Sequence, residues 1–102
     1  MVTIVFTNHD GVCTGLEALG HAGYGEIGKD IVCAAVSALI QGAVLSIEQL
    51  AEKPVVQEKE EGRISYHIRD PDEVTQVLFA SLELSLAELQ AEYRNYLTVC
   101  HG

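Results

Sequence analysis

Basic residues are scarce in this chain. Six Lys and Arg stand against fifteen Asp and Glu, giving a formal net charge of −9 over 102 residues. Nucleic-acid binding needs clustered Lys and Arg to meet the phosphates, so direct nucleic-acid contact is not expected. The acidic balance fits a basic partner drawn in by long-range attraction, or simply a soluble surface. Cysteine is sparse and odd in number. Cys13, Cys33 and Cys100 are widely spaced, which suits reduced thiols in the cytoplasm better than a disulfide framework. Nothing in their spacing, the tail pair Cys100 and His101 included, makes a structural zinc site, and no metal or other cofactor is expected. The opening MVTIVFTNHDG lacks a basic leader with a long apolar run behind it, so no targeting segment is expected. The most apolar stretch, IVCAAVSALIQGAVLSI, is interrupted by Ser37, Gln41 and Ser46, and no membrane span is expected. Tryptophan is absent, and no internal repeat or low-complexity tract is visible.

What is present reads as one globular domain over residues 1–102, with 48% hydrophobic and 21% charged residues. A core this small gains from burial against a second copy, so a homodimer is expected. Residues 2–7 alternate and are β-branched, which predicts a strand. NHDG, residues 8–11, is a turn signal, and residues 12–20 read as the returning strand, weakened by Gly15. Residues 22–28, AGYGEIG, hold three glycines and predict a mobile loop. Asp30 is a good N-cap for a helix over residues 31–51, apolar nearly all round and therefore buried on more than one side. Residues 55–60 and 63–69 predict a hairpin around EEG. Ile64, Tyr66 and Ile68 share one of its faces, and the solvated face carries His67. DPDE, residues 70–73, places an N-cap at Asp70 and Pro71 at the first helical position. The helix that follows runs to about residue 99, with Val74, Val77, Leu78, Leu82, Leu86, Leu89, Tyr93, Tyr96 and Leu97 at helical spacing and a kink near 85–88. The expected fold class is α/β of the α+β type: an antiparallel four-stranded sheet packed with two long helices, in the order β-β-α-β-β-α.

The candidate chemistry lies in GHAGYGEIGKDIVCAAVSAL, residues 20–39. With Asp30 as cap, Cys33 falls in the first turn of its helix. Unpaired N–H groups there carry partial positive charge and favour the nucleophilic thiolate. A histidine brought close, His21, would take the thiol proton and return one to a leaving group. A loop N–H or the Cys33 amide would stabilise an oxyanion. A small buried cysteine beside a loop histidine explains the spacing equally well.

The same twenty residues closely resemble the signature of the ribosomal-processing cysteine proteases of the Prp family. The shared pattern is a Gly-His pair, a short glycine-containing loop, then Gly-x-Asp-Ile-Val-Cys-Ala-Ala-Val-Ser. The resemblance implies a cysteine endopeptidase that removes a short N-terminal extension from a large-subunit ribosomal protein, cutting after an apolar segment with paired phenylalanines. It implies a homodimer. It maps the nucleophile onto Cys33 and the histidine onto His21, and Asp30 matches the family's aspartate. The weakly β-forming VCTGLEALG before His21 departs from the pattern.

Ser37, one helical turn beyond Cys33, is a possible supporting residue. Ala22, Gly23, Tyr24, Gly25, Glu26, Ile27 and Gly28 form the expected substrate loop, with Tyr24 and Ile27 placed to touch an apolar side chain. The competing class is a non-catalytic binding module for a basic or apolar peptide, in which Cys33 only packs. A redox sensor is a weaker option, because no resolving cysteine lies nearby in sequence.

Overall fold

The computed structural model describes residues 1–20 and 27–102, with backbone alone for residues 27–30. The elements run β1 (Val2–His9), β2 (Val12–Leu19), α1 (Ile27–Gln49), β3 (Val56–Glu60), β4 (Arg63–His67), α2 (Glu73–Glu92) and β5 (Leu97–His101). The expected order holds as far as α2. The sheet does not have four antiparallel strands: among the described residues it has five, in the order β3-β4-β2-β1-β5, and β5 pairs parallel with β1.

The first hairpin follows from its turn residues. Asp10 and Gly11 both take positive φ, 52° and 79°. That two-residue turn matches the twist of the flanking strands. The β1–β2 register shifts between Thr7 and Asn8, so that Thr7 faces Gly15 and Asn8 faces Cys13, leaving Thr14 as the extra residue. This bulge swings Cys13 onto the core face, where it is buried. Gln76 of α2 clamps the bulge: its Oε1 accepts the Cys13 N–H at 2.9 Å and its Nε2 donates to the Cys13 carbonyl at 2.8 Å. Gly15 is required by packing, because a Cβ there would lie 2.1 Å from the Tyr66 carbonyl oxygen on β4.

One face of the sheet carries the core. Val2, Ile4 and Phe6 of β1, Leu16 and Ala18 of β2 and Tyr66 of β4 meet Val32, Val36, Ile40 and Ile47 of α1, and Phe79, Leu82 and Leu86 of α2. Burial of α1 is therefore one-sided, against the expectation. Ile31 and Leu45 stand exposed, as do Ala34 and Ala38. An apolar composition here does not mean an all-round buried helix, because two helices share one sheet face and, among the described residues, no further layer covers α1. By length and composition alone, Ile31–Gln49 is also apolar enough to cross a membrane, a test that the core helix of a soluble protein passes as well.

Several expected boundaries move. α1 begins at Ile27, so Asp30 is its fourth residue and not its N-cap, and Ile27 and Gly28 belong to the helix instead of the loop. The α2 cap is Asp72 and not Asp70. Asp72 accepts the Thr75 N–H at 2.9 Å while Thr75 Oγ1 accepts the Asp72 N–H at 2.9 Å, a reciprocal box that Asp70 lacks. α2 ends at Glu92 with Tyr93 as C-cap, and is continuous over residues 85–88. Residues 97–101 leave the helix because LTVC also alternates and β1 offers an edge: Val2 N–H donates to the Tyr96 carbonyl at one end and Gly102 N–H to the Phe6 carbonyl at the other. Long-range pairing overrides the local helical period here. Within α2 the buried set is Thr75, Phe79, Leu82 and Leu86, while Val74 and Val77 face outward. β4 ends at His67, which is half-buried instead of solvated.

Candidate active site

Cys33 is the seventh residue of α1 and sits in its second turn, not its first. It therefore lies beyond the four residues whose N–H groups a helix start leaves unpaired. The macrodipole argument for its thiolate weakens accordingly, because that effect falls off within the first turn. What the fold supplies instead is a cavity.

Cys33 is half-buried on the face of α1 that looks at one end of the sheet. A cavity of about 150 Å³ opens beside it, between α1 and the strands. Val36 and Ile40 of α1, Val2 of β1, Ala18 of β2 and Ile64 of β4 form its apolar walls. Ser37 and Gln41 stand at its solvent side, both exposed. Ser37 thus shares the cavity with Cys33, as the helical spacing predicts, but as a rim residue and not as a packed one. At the far end the Gln41 Nε2 donates to the Tyr66 hydroxyl at 3.0 Å. Cys33, Ser37 and Gln41 recur every four residues, a polar line on the otherwise apolar stretch of residues 31–45.

Gly20 ends the described part of the chain before His21. It takes φ +71°, donates its N–H to the Gly62 carbonyl at 3.0 Å, and lies so near Met1 that a Cβ would come within 2.6 Å of the Met1 carbonyl oxygen. Gly20 follows Ala18, itself a cavity wall, by two residues. β2 therefore delivers the chain to the end of the sheet where Cys33 lies. His21 itself lies outside the described residues, as do Ala22, Gly23, Tyr24, Gly25 and Glu26 of the expected loop. The Asp30 side chain is likewise not described.

The other thiols contrast with Cys33. Cys13 is buried, and that burial pushes its thiol pKa up, with the nearby Glu83 charge acting in the same direction. Among the described residues no group of three His, Cys, Asp or Glu converges as metal ligands do. Sequence reasoning missed Tyr66, Ala18, Val2 and Ile64 as cavity residues, because they come from three strands and only tertiary contact unites them. Gln41 had a local signal, its place on the Cys33–Ser37 line.

Residues 1–98 match the family model described as cysteine protease Prp. The ribosomal processing cysteine protease Prp of Staphylococcus aureus (strain Mu50) is 36% identical over 98 residues, which cover 91% of this chain and 92% of that protein. Two solved structures of the S. aureus protease superimpose along the whole length of both chains. The one in complex with a substrate peptide has a TM-score of 0.90 at 27% identity. The one with a covalently linked product peptide has a TM-score of 0.87 at 28% identity.

Proposed function

This chain belongs to the cysteine protease Prp family, and on that premise we propose that it removes the N-terminal extension of a large-subunit ribosomal protein by cutting after an apolar, Phe-containing segment. Cys33 is the nucleophile and His21 the general base and acid. The observation that carries the reading is the apolar cavity beside Cys33. A peptide carbonyl held at the Cys33 thiol, with an apolar side chain in the cavity, brings scissile bond and nucleophile together.

In the first step the sulfur bonds to the scissile carbonyl carbon as His21 takes the thiol proton. The tetrahedral adduct collapses, the C–N bond breaks, and the proton passes from His21 to the leaving amine. Water then attacks the thioester with His21 again accepting a proton. The carboxylate product leaves and the thiol is restored. An acidic enzyme of net charge −9 meets a basic ribosomal protein under favourable long-range attraction in the cytoplasm.

The active form is a homodimer, and the exposed face of α1 is its interface. Ile31, Ala34, Ala38 and Leu45 stand exposed there, and residues 31–47 contain no charged side chain. Two such faces meet without like-charge repulsion, and the small residues allow close approach. Light scattering should give twice 11.0 kDa, and Leu45→Glu should yield a monomer.

The deciding experiment for the activity is to incubate the protein with the extended ribosomal protein and weigh the products by mass spectrometry. A single cut by the native protein, absent with Cys33→Ala, is expected. Turnover retained in Cys33→Ala removes Cys33 from the mechanism. Intact substrate with the native protein removes the substrate class.

A further inference from the structure

A groove lies away from Cys33, between α2 and β5. Leu84 and Ala87 of α2 face Val99 and His101 of β5 across about 410 Å³, with Glu83 and Gln90 in the walls. Leu84 is 72% exposed, although it is a large apolar residue on a well-packed helix. β5 is an edge strand. Because the backbones of Tyr96 and Gly102 bond to β1, alternate residues Leu97, Val99 and His101 turn their backbone groups to the outer edge. The chain covers the first part of that edge itself: Leu97 N–H donates to the Tyr93 carbonyl and Val99 N–H to the Gln90 side chain. Gln90 is thus a side-chain guard on a strand edge, of the kind that keeps edges from pairing indiscriminately.

Charge decides what would occupy this groove. α2 carries four glutamates and no basic residue along Glu73–Glu92. A second copy docked symmetrically here would bring that acidic helix against itself. The uncharged face of α1 imposes no such cost. We infer that the α2–β5 groove is an exosite for an extended basic segment with interspersed apolar residues, bound as an added strand along β5 with its apolar side chains on Leu84 and Ala87. Gln90 swings off Val99 as the segment enters, and Glu83, which pairs with His101, receives a basic side chain. Strand addition takes its affinity from main-chain hydrogen bonds and its selectivity from alternate side chains. The inference rests on the proposed substrate class: the bound segment is the basic body of the ribosomal protein, beyond the cut site held at Cys33.

The test has two arms. In the first, an extended peptide of alternating Val and Lys is titrated into the isotope-labelled full chain and amide shifts are followed by NMR. Shifts at Val99, His101 and residues 80–90 are expected. They should be lost with Glu in place of Lys in the peptide, and weakened about tenfold in Kd by Leu84→Lys. In the second, kcat/KM of Leu84→Lys is compared on the extended ribosomal protein and on a short neutral peptide spanning the cut. A drop of about tenfold on the protein, with none on the short peptide, is expected. Absent shifts, equal shifts for both peptides, or equal loss on both substrates overturns the exosite. So does dissociation of a dimer by Leu84→Lys in light scattering, which would assign the groove to contact between copies. If the native enzyme cuts neither substrate, the proposed function fails while the peptide titration still decides the groove.

Discussion

Filling the cavity beside Cys33 should separate stability from activity. Ala18 forms one wall, is 7% exposed, and lies between Ile4 and Ile64 in the sheet. Ala18→Leu adds three carbons to a space of about 150 Å³. At about 0.8 kcal/mol per buried carbon the ceiling on added stability is about 2.4 kcal/mol. The cavity opens to solvent past Ser37 and Gln41, so about 1 kcal/mol is a fair expectation, or a rise in Tm of about 4–8 °C for a domain this size. The same side chain excludes the apolar group of the substrate. Burial of such a group is worth about 1.5–3 kcal/mol, so kcat/KM should fall roughly 10- to 150-fold. Thermal melts by circular dichroism and initial rates on a fluorogenic peptide containing the cut site measure the two quantities. A stable Ala18→Leu protein with undiminished kcat/KM refutes the cavity as a substrate subsite. If Tm and rate fall together the core is overpacked, and Ala18→Val, with two added carbons, should then restore stability while keeping the rate defect.

Other outcomes follow from the same geometry. His21→Ala should lower kcat by at least about 10²-fold, the usual scale for acid–base roles; unchanged kinetics would remove His21 from the mechanism. Iodoacetamide with peptide mapping should label Cys33 ahead of Cys13, because burial keeps the Cys13 thiol protonated and shielded. Gln76→Ala strips the Cys13 amide and carbonyl of their partner and should cost about 2 kcal/mol in urea melts. The Thr75 backbone N–H, aided by Lys53, holds the Asp72 carboxyl below its usual pKa. A lowered folded pKa means stability present at neutral pH and lost as pH falls below about 4. Asp72→Asn should therefore lower Tm at pH 7 and flatten the acid limb of the stability profile.

The sequence by itself determined the local elements and named the candidate site residues. Alternation in β1, the Asp-Gly turn and the acidic start of α2 are short-range signals, and each element is found where they point. Gly-His, the glycine-rich segment and Cys33 lie within one continuous stretch, so the family was legible before any fold was known. Tertiary structure alone decided three things. It converted residues 97–101 from the end of a helix into a strand, because the β1 edge supplies hydrogen bonds that helical spacing cannot anticipate. It left one face of α1 exposed, since which side of an apolar helix is covered depends on what packs above it. And it assembled the cavity beside Cys33 from Val2, Ala18, Ile64 and Tyr66, residues up to 64 positions apart in the chain. Periodicity reports which residues share a face of one element. Which faces meet is set by close packing between elements, and the candidate active site lies where they meet.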